Sequence, residues 1–346
     1  MIVGLDVGNG SVAFAVRSDD GKTRLDTYPS VFGLANAHAQ DFRQEKRKPL
    51  DLFHLEGRDY LLGYESVKAG GAAPISAYDR DQRMVRKEFQ TLTKLALLDA
   101  VTTSGQTGVI EVILCIGTPA EDFREEIIEA YRTWFKAPVV GAKNDQQVVV
   151  MVKQVEVVSQ PIAVLMDAYY DAQGYVADEE LEQQTVLVVD AGSGTLDLSE
   201  FDRLLLTRQI SEPIGINDVY QPIIDEIERA YPKVRVDAFD LEHQLRTQDG
   251  QTTFVYRYGP LSIDISAWRD RAVEHVWERM VGMLSRRFPD RRRFHRVLLA
   301  GGTGQALATL FQEWMPEVQL RPDAQLAIAK GLLKYAIVHH GVPAGE

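Results

Sequence analysis

The chain has 346 residues, of which 45% are apolar and 25% charged, and its 50 acidic and 38 basic side chains give a net charge of −12. This length exceeds one ordinary domain of about 100–200 residues, and the composition is that of a folded protein, which excludes disordered, collagen-like and coiled-coil classes. Because the net charge repels a phosphate backbone, nucleic-acid binding would need a local basic patch or a basic adaptor protein.

Cysteine and histidine usage excludes several kinds of site. The single cysteine, Cys115, lies in an apolar run at 112–116 and can form neither an intramolecular disulfide nor a cysteine metal site. The seven histidines lack a metal-ligand spacing. The N-terminal residues lack the basic region of a signal peptide, and no run approaches the roughly 18 apolar residues of a membrane span. We therefore predict a cytoplasmic protein that makes no membrane contact.

The first half of the chain begins with a strand, a turn and a second strand. Residues 2–5 are apolar, Asp6-Val7-Gly8-Asn9-Gly10 form a turn, and residues 11–16 are apolar again. Residues 29–80 predict a small α+β insert with an exposed loop at 34–49. The remaining pattern predicts a helix at 85–100, a strand at 109–116, a helix at 121–135, a strand at 148–158 and a helix from 159 to about 173.

The second half repeats this opening after a Gly-rich and acidic stretch at 174–184, which predicts a boundary. Residues 185–189 are apolar, Asp190-Ala191-Gly192-Ser193-Gly194 form a turn, and residues 195–201 predict another strand. The later elements are predicted as helices at 216–231, 237–247 and 266–287, a strand at 296–300, a glycine turn at 301–304, a helix to about 314 and a last helix from Asp323 to about Val338. This alternation of strands and helices predicts an α/β protein.

The two Asp-x-Gly-x-Gly turns carry the strongest indication of function. Asp6 and Asp190 lie just over half the chain apart, and each turn follows an apolar strand. Glycine allows main-chain N–H groups to approach an anion, whereas a carboxylate would repel a bare phosphate. A divalent cation resolves this conflict, and Mg²⁺ is favoured because it binds carboxylates together with phosphate oxygens. Two facing turns would clamp a polyphosphate; the simpler alternative is a pair of tight Asp-Gly hairpins.

A dinucleotide site is an alternative for the first turn. Residues 8–13 match the pattern G-x-G-x-x-A after a strand. That motif requires a helix to follow, whereas residues 12–16 lead into Asp19-Asp20-Gly21 and favour a hairpin. No G-x-x-x-x-G-K-[ST] sequence is present, which excludes a P-loop. A third glycine turn, Gly301-Gly302-Thr303-Gly304, stands between a strand and a helix and suits the close approach of a planar or anionic ligand.

Five short motifs occur in order along the chain. They are Asp6-Val7-Gly8-Asn9-Gly10, Gln160-Pro161, Asp190-Ala191-Gly192-Ser193-Gly194-Thr195-Leu196-Asp197, Gly301-Gly302-Thr303-Gly304 and Ala327-x-x-x-Gly331. In this order they resemble the nucleotide-site motifs of the actin superfamily, which also contains sugar kinases and chaperone ATPase domains. The chain is most similar to bacterial and archaeal actin-like proteins of the ParM/StbA type. Three further segments of this chain resemble short signatures of that group, and they are Pro29-Ser30-Val31, Tyr60-Leu61-Leu62-Gly63-Tyr64-Glu65 and Gly117-Thr118-Pro119-Ala120-Glu121-Asp122-Phe123.

The resemblance implies an actin-like ATPase fold of the α/β class, in which two duplicated ribonuclease-H-like domains flank a nucleotide cleft. Residues 1–175 would form the first domain, with its insert at about 29–80. Residues 185–322 would form the second domain, with an insert at about 216–294. Residues 323–346 would form a helix that crosses back to the first domain.

The resemblance also implies a bound ATP or GTP with Mg²⁺. Asp6 and Asp190 would hold the metal, largely through water. Gln160 would orient the attacking water that Asp190 polarises; because glutamine is a poor proton acceptor, we expect slow hydrolysis. A simple helix start is the alternative role for Gln160. The residues that would contact the phosphates and the nucleoside are Gly8, Asn9, Gly10, Gly192, Ser193, Gly194, Thr195, Gly301, Gly302 and Thr303.

Other features have open roles. Asp197 follows the second turn closely in sequence. It would either contact the Asp190 turn or support the residues that contact the ligand. Lys87 and Arg86 are candidates for a catalytic cation, with a solvated helix face as the alternative. The arginine-rich stretch 286–296 would contact an acidic face of a next subunit or DNA, unless it is a solvated loop. By resemblance, the loop at 34–49 would form longitudinal contacts in a filament.

The sequence therefore predicts a nucleotide-dependent filament whose subunits associate head to tail and whose hydrolysis weakens the filament. By resemblance, such a filament would segregate plasmid DNA through a basic DNA-binding adaptor. A small-molecule kinase and a chaperone-type ATPase of the same superfamily are the alternatives. A kinase would turn over only with an acceptor, whereas a filament would pellet when nucleotide is added.

Overall fold

The computed structural model describes residues 1–35, 50–68, 75–76, 83–248 and 251–341. Most of the predicted exposed loop at 34–49 lies outside these residues. The described part of the chain forms two large sheets, one from each half, together with the helices that cover and connect them.

The first half contributes a ten-stranded sheet. Its strands are β1 (Ile2–Val7), β2 (Ser11–Arg17), β3 (Thr23–Pro29), β4 (Val31–Leu34), β5 (Phe53–Leu55), β6 (Arg58–Leu62), β7 (Ile75–Ser76), β8 (Gly108–Thr118), β9 (Val139–Lys143) and β10 (Gln146–Ser159). Its helices are α1 (Gly63–Lys68), α2 (Lys87–Thr103), α3 (Glu125–Trp134) and α4 (Gln160–Tyr169). The strand order is β3-β2-β1-β8-β10-β9-β5-β6-β4-β7, with β1 antiparallel to β2 and parallel to β8.

The second half contributes a five-stranded sheet of order β13-β12-β11-β16-β17 and a separate hairpin of β14 and β15. The strands are β11 (Thr185–Ala191), β12 (Leu196–Asp202), β13 (Leu205–Glu212), β14 (Val255–Tyr258), β15 (Leu261–Asp264), β16 (Arg296–Ala300) and β17 (Val318–Leu320). The helices are α5 (Asn217–Ala230), α6 (Ala238–Arg246), α7 (Ser266–Arg287), α8 (Gly302–Ala306), α9 (Ala308–Trp314) and α10 (Ala327–His340). Short 3₁₀ helices lie at Arg83–Val85, Ala120–Asp122, Glu179–Gln183, Arg291–Arg293 and Ala324–Leu326.

The central strands are buried on both faces, as their nearly continuous apolar sequences require. Every residue at 3–7 in β1 and at 186–191 in β11 is buried. One face of the first sheet packs on α2 and α3, and the second sheet packs on α5, α7 and α9. A third apolar cluster joins the halves, because α4 and α10 pack together with β-strand residues of both, including Cys115 and Leu298.

Two glycines allow α10 to lie against its neighbours. A Cβ atom at position 331 would overlap the carbonyl oxygen of Ala163 in α4, and one at position 4 would overlap the carbonyl oxygen of Ala329 in α10. The backbones therefore approach more closely than any other residue would allow. Gly331, the last residue of the fifth motif, serves this crossing of two helices. No described helix has the length and apolarity needed to cross a membrane.

The predicted end of α4 at about residue 173 is wrong, because the helix ends at Tyr169. The carboxylate of Asp171 accepts hydrogen bonds from the main-chain N–H groups of Gln173 (2.8 Å) and Tyr175 (2.9 Å). Such a local side-chain to backbone pattern competes with helix continuation and turns the chain back.

Two later helix predictions also need correction. The predicted helix up to residue 314 is two helices, α8 and α9, which are separated at Leu307. The last helix begins at Ala327 rather than at Asp323, and Asp323 makes no side-chain capping bond. Asp323 has a left-handed backbone (φ 52°) and leads into a 3₁₀ turn, while its carboxylate pairs with Lys330 at 3.7 Å.

Candidate functional site

The two Asp-x-Gly-x-Gly turns have the same hydrogen-bonded geometry. Each closes through the N–H of its first glycine, from Gly8 to the Ser11 carbonyl (2.9 Å) and from Gly192 to the Thr195 carbonyl (2.8 Å). The dinucleotide alternative is wrong, because the first turn leads into strand β2, antiparallel to β1, and not into a helix. Since the first glycines close the turns, the N–H groups of the residues that follow them are the candidate anion donors.

A hydroxyl group from another segment of the chain donates a hydrogen bond to each turn. Ser30 Oγ donates to the Gly8 carbonyl at 2.6 Å, and Thr303 Oγ1 donates to the Gly192 carbonyl at 2.6 Å. Ser30 belongs to the short signature at 29–31, and Thr303 belongs to the third glycine turn. The carbonyl oxygen of the first glycine in each turn is thereby engaged within the chain.

The two turns meet each other. A Cβ atom at position 10 would overlap Cβ and Oγ of Ser193, so only glycine permits this approach of the first turn to the second. The backbone of the second turn is crowded from its other side by Gly215, where an added Cβ would overlap the Ser193 carbonyl. The Ser193 carbonyl also accepts a hydrogen bond from the Asn217 N–H at 3.0 Å. The start of α5 therefore fixes the second turn.

Asp6 and Gln160 are joined in the first half of the site. Gln160 is the first residue of α4, and its Nε2 donates to Asp6 Oδ1 at 2.7 Å. Both side chains are buried. Gly117 at the end of β8 leaves space for them, since a Cβ there would lie 3.3 Å from Asp6 Oδ1 and 3.4 Å from Gln160 Cγ. The side chain of Gln160 is thus directed at Asp6, and it does not cap its own helix.

Asp190 lies in an electrostatically unfavourable position. Burial, with the carboxylates of Asp197 and Asp6 nearby, raises the pKa of Asp190 well above its usual range. Asp197 accepts a hydrogen bond from Thr195 Oγ1 at 2.9 Å. Gly301, with φ 84°, passes so close to Asp190 that an added Cβ would lie 2.7 Å from Asp190 Oδ1. Three carboxylates therefore share one region of the molecule, an arrangement typical of functional sites.

All the predicted site residues line one cavity of about 400 Å³. It is lined by Asp6, Gly8, Asn9, Gly10, Gln160, Asp190, Gly192, Ser193, Gly194, Thr195, Gly301, Gly302 and Thr303. Asp197 also lines it, whereas Lys87 and Arg86 do not, and Arg86 pairs with Glu88 at 3.6 Å. A volume of this size is ordinary for a small-molecule site.

The sequence did not point to the residues on the other wall of the cavity. Arg246 Nη2 pairs with Glu242 at 2.6 Å, and Arg246 Nη1 donates to Gln325 Oε1 at 2.8 Å. Both charged residues are on α6, in a segment that the motifs do not cover. Apolar side chains complete this part of the cavity, and they are Ile216, Val219, Leu245, Phe254, Val273, Leu307 and Ile328.

The donor set fits a cation held mainly through water. Among the described residues, no group of three or more His, Cys, Asp or Glu side chains could hold a metal ion directly. The carboxylates of Asp6 and Asp190 nevertheless line one cavity, and the ionised form of Asp190 needs compensating positive charge. The arginines that line the cavity have other partners, Arg246 with Glu242 and Arg269 with Asp270. A hydrated divalent ion bound by one or two carboxylates suits this arrangement.

The arginine-rich stretch 286–296 is largely paired within the chain. Arg287 binds Glu212 at 2.8 Å, and the Arg291 guanidinium stacks over Trp314 at 4.5 Å. The other pairs are Arg293 with Glu200 and Arg296 with Asp178 and Glu180. These contacts tie the stretch to β12, to β13 and to the segment before β11, which supports a structural role.

Comparisons with known proteins identify the fold. Residues 4–162 match the family model of the N-terminal domain of actin like proteins. The archaeal actin homolog Ta0583 in complex with ADP superposes with a TM-score of 0.73, at 17% identity over 97% of this chain and 99% of that one. Bacillus thuringiensis ParM with ATP gives a TM-score of 0.68 at 13% identity, covering 97% of this chain and 98% of ParM.

The structure of an Alp12 filament also matches, with a TM-score of 0.66 at 15% identity and 98% of both chains covered. None of the curated protein sequences matches this chain. The fold is that of the actin-like proteins, as the motifs predicted. Within that class, the similar structures include proteins of the ParM and Alp groups.

Proposed function

We propose that this protein binds and slowly hydrolyses Mg²⁺-ATP or Mg²⁺-GTP and that it assembles into filaments under nucleotide control. The observation that carries this proposal is the contact of Gly10 with Ser193, because it brings two acidic glycine turns of the same pattern to one cavity. A pair of unrelated tight hairpins would have no reason to converge. The nucleotide-bound and filamentous actin-like structures with the same fold support the proposal.

The N–H groups of Asn9, Gly10, Ser193 and Gly194 would bind the β- and γ-phosphates. These groups follow the closing hydrogen bonds of the turns, and two of the residues are glycines whose backbone a phosphate can approach. Gly8, Gly192 and Thr195 shape the turns. The nucleoside would lie between the third glycine turn (Gly301, Gly302 and Thr303) and the apolar wall of the cavity.

Asp6 and Asp190 would hold Mg²⁺ through its water ligands, and the metal would neutralise charge on the phosphates. Gln160 would orient the attacking water, since its amide is fixed by the bond to Asp6. Asp190 would polarise that water. Because a glutamine amide accepts a proton poorly, turnover would be slow, which suits a filament whose lifetime is timed by hydrolysis.

Residues 1–175 and 185–322 would act as two bodies about the α4 and α10 crossing, with α10 returning to the first body. Closure on the nucleotide would create the surface that binds the next subunit, and a head-to-tail contact that does not close on itself yields an open filament. The net charge of −12 favours a basic DNA-binding adaptor over direct DNA contact. The proposed setting is cytoplasmic plasmid segregation.

The test is sedimentation and light scattering with Mg²⁺-ATP, Mg²⁺-GTP and neither. We expect nucleotide-dependent pelleting together with slow phosphate release, and the Asp190→Ala variant should lose hydrolysis. Asp202→Ala is the matched control, because Asp202 is a half-exposed aspartate at the far end of β12. Turnover only in the presence of an added acceptor would instead indicate a small-molecule kinase. Hydrolysis that survives in Asp190→Ala would contradict the assignment of the second turn.

A further inference from the structure

An aromatic contact joins the two halves of the chain beside the cavity. The ring of Tyr64, on α1 of the first half, lies 4.4 Å from the ring of His243, on α6 of the second half, with the ring planes inclined by 47°. At this separation the two rings are in direct contact. Tyr64 belongs to the short signature at 60–65, which the assignment of the phosphate site leaves without a role.

The partner helix α6 also forms a wall of the cavity. His243 is next in sequence to Glu242, whose pairing with Arg246 holds the two charged side chains at the cavity surface. Burial and the nearby Glu242 carboxylate raise the pKa of Tyr64 above its usual range, so these groups lie within electrostatic reach. The same two causes raise the pKa of Tyr220, which lines the cavity.

Each side of the contact is anchored to its own half. On the first half, Ser66 Oγ donates to the Gly63 carbonyl at 2.7 Å, and Gly63 (φ 55°) packs so tightly that an added Cβ would lie 3.0 Å from Tyr28. On the second half, Gln244 bonds to both main-chain groups of Arg257 in β14, at 2.7 and 3.0 Å. A separation of the two halves would therefore have to break the ring contact.

We propose that Tyr64 and His243 form a clasp that positions α6 against the nucleotide and sets the rate at which nucleotide leaves the cavity. The proposal rests on the proposed function, since it concerns the same cavity. Opening the cavity requires the rings to part, and closing it returns Glu242 and Arg246 to their places. Tyr64 is a positioning residue, because it acts through α6.

The first test measures release of a fluorescent ATP analogue in excess unlabelled ATP. Tyr64→Ala and His243→Ala should each speed release about tenfold or somewhat less, as expected for the loss of one aromatic pair. The double variant should be no faster than the faster single variant, because both remove the same contact. Single-turnover hydrolysis of bound nucleotide should stay unchanged, which a general folding defect would not allow. Tyr258→Ala, an exposed tyrosine of the β14–β15 hairpin, is the control.

The second test joins the two positions covalently. In a Tyr64→Cys, His243→Cys variant, a short bifunctional thiol reagent that reductant can cleave should slow release at least tenfold, and reductant should restore it. The native Cys115 is fully buried, so the reagent should leave it unmodified. Release rates within twofold of wild type in both single variants, with no effect of the cross-link, would overturn the clasp.

A measurement without nucleotide separates this proposal from the proposed function. Small-angle X-ray scattering should give a larger radius of gyration for nucleotide-free Tyr64→Ala than for wild type, and the cross-linked variant should give a value at or below wild type. If wild type binds neither Mg²⁺-ATP nor Mg²⁺-GTP, the proposed function fails, and this comparison still decides whether the clasp holds the halves together. Equal radii for all three proteins would contradict the clasp.

Discussion

At the scale of one side chain, a substitution of Gln160 separates an effect on the hydrolysis rate from an effect on nucleotide affinity. The Gln160→Ala variant loses the 2.7 Å bond to Asp6 and the amide that would orient water. We expect hydrolysis to slow by about 10²-fold, the lower end of the usual contribution of a proton-transfer or water-positioning group. Nucleotide affinity should change little, because the proposed phosphate donors are main-chain groups. The measurements are single-turnover hydrolysis and equilibrium binding.

Gln154→Ala provides the control for this variant, since Gln154 lies on strand β10, which leads into α4, but is exposed and bonded to Glu156. It should leave both quantities unchanged. If Gln160→Ala loses affinity by the same factor as rate, Gln160 would be a binding residue, and the proposed role in orienting water would be wrong.

The carboxylate of Asp190 should weaken the nucleotide-free fold at neutral pH. Because burial and the nearby acids raise its pKa in the folded state, ionised Asp190 costs free energy that the unfolded chain does not incur. Below the ordinary value of 3.8 the group is protonated in both states and the cost vanishes. The cost grows as the pH rises above that value and is complete above the folded-state pKa.

The Asp190→Asn variant should therefore have a higher Tm than wild type at pH 7–8 when nucleotide and Mg²⁺ are absent. The difference should shrink as the pH falls and should disappear near pH 4, where thermal unfolding of both proteins is measured in the same buffers. Asp202→Asn, at a half-exposed position, should show no such pH-dependent difference. A stabilising effect that is independent of pH would mean that packing, not charge, distinguishes the variant.

The sequence predicted the phosphate side of the cavity because glycine turns have a local signature. Asp6, Asp190 and their glycines were found from the strand–turn–strand patterns at residues 2–16 and 185–201. The cavity wall formed by Glu242 and Arg246 has no such signature, since an acid and a base four residues apart on a helix are also typical of an exposed face. Only the tertiary placement of α6 turns that pair toward the cavity.

At the scale of elements, the elements with strong periodicity were predicted well and those with mixed exposure were missed. The bounds of α7 and β16 were predicted as observed. The edge strand β13 was not predicted, because its first four residues are exposed and give no apolar alternation. The β14–β15 hairpin turns through Gly259 and Pro260, a signal that was present in the sequence but was not used.

The crossing of α4 and α10 depends on one glycine, and Gly331→Ala tests it. The new Cβ would overlap the Ala163 carbonyl, so the helices must move apart at the apolar cluster that joins the halves. We expect a loss of about 1–3 kcal/mol in the free energy of unfolding, the usual cost of overpacking, measured by urea denaturation. Nucleotide affinity should also fall, because both halves contribute to the cavity.

Gly282→Ala is the matched control for this substitution. Gly282 lies inside α7, and an added Cβ would meet only the flexible end of Arg286, at 3.5 Å. Alanine should therefore stabilise the protein by roughly 0.5–1 kcal/mol through its higher helix propensity. If both variants stabilise, the close contact between α4 and α10 does not exist in solution.

At the scale of the whole molecule, the net charge of −12 bears on the proposed assembly. Each added subunit would bring a further net charge of −12 close to the charge already in the filament, and salt screens this repulsion. The screening length falls from about 30 Å at 0.01 M salt to about 8 Å at 0.15 M. We therefore expect the critical concentration for assembly with Mg²⁺-nucleotide to fall severalfold over this range of KCl, measured by pelleting at several protein concentrations.

Nucleotide binding is measured at each salt concentration, so that a change in saturation is not mistaken for a change in assembly. Salt should weaken the binding of a polyanion to the cavity, and weaker nucleotide binding would raise the critical concentration. A fall in the critical concentration therefore cannot result from the effect of salt on nucleotide binding. A critical concentration that rises with salt at full saturation would mean that complementary charges at the subunit contact outweigh the repulsion between whole subunits. The contact would then join an acidic to a basic surface. Arg286 and Arg292, which have no ion pair with another described residue, would be the first positions to substitute.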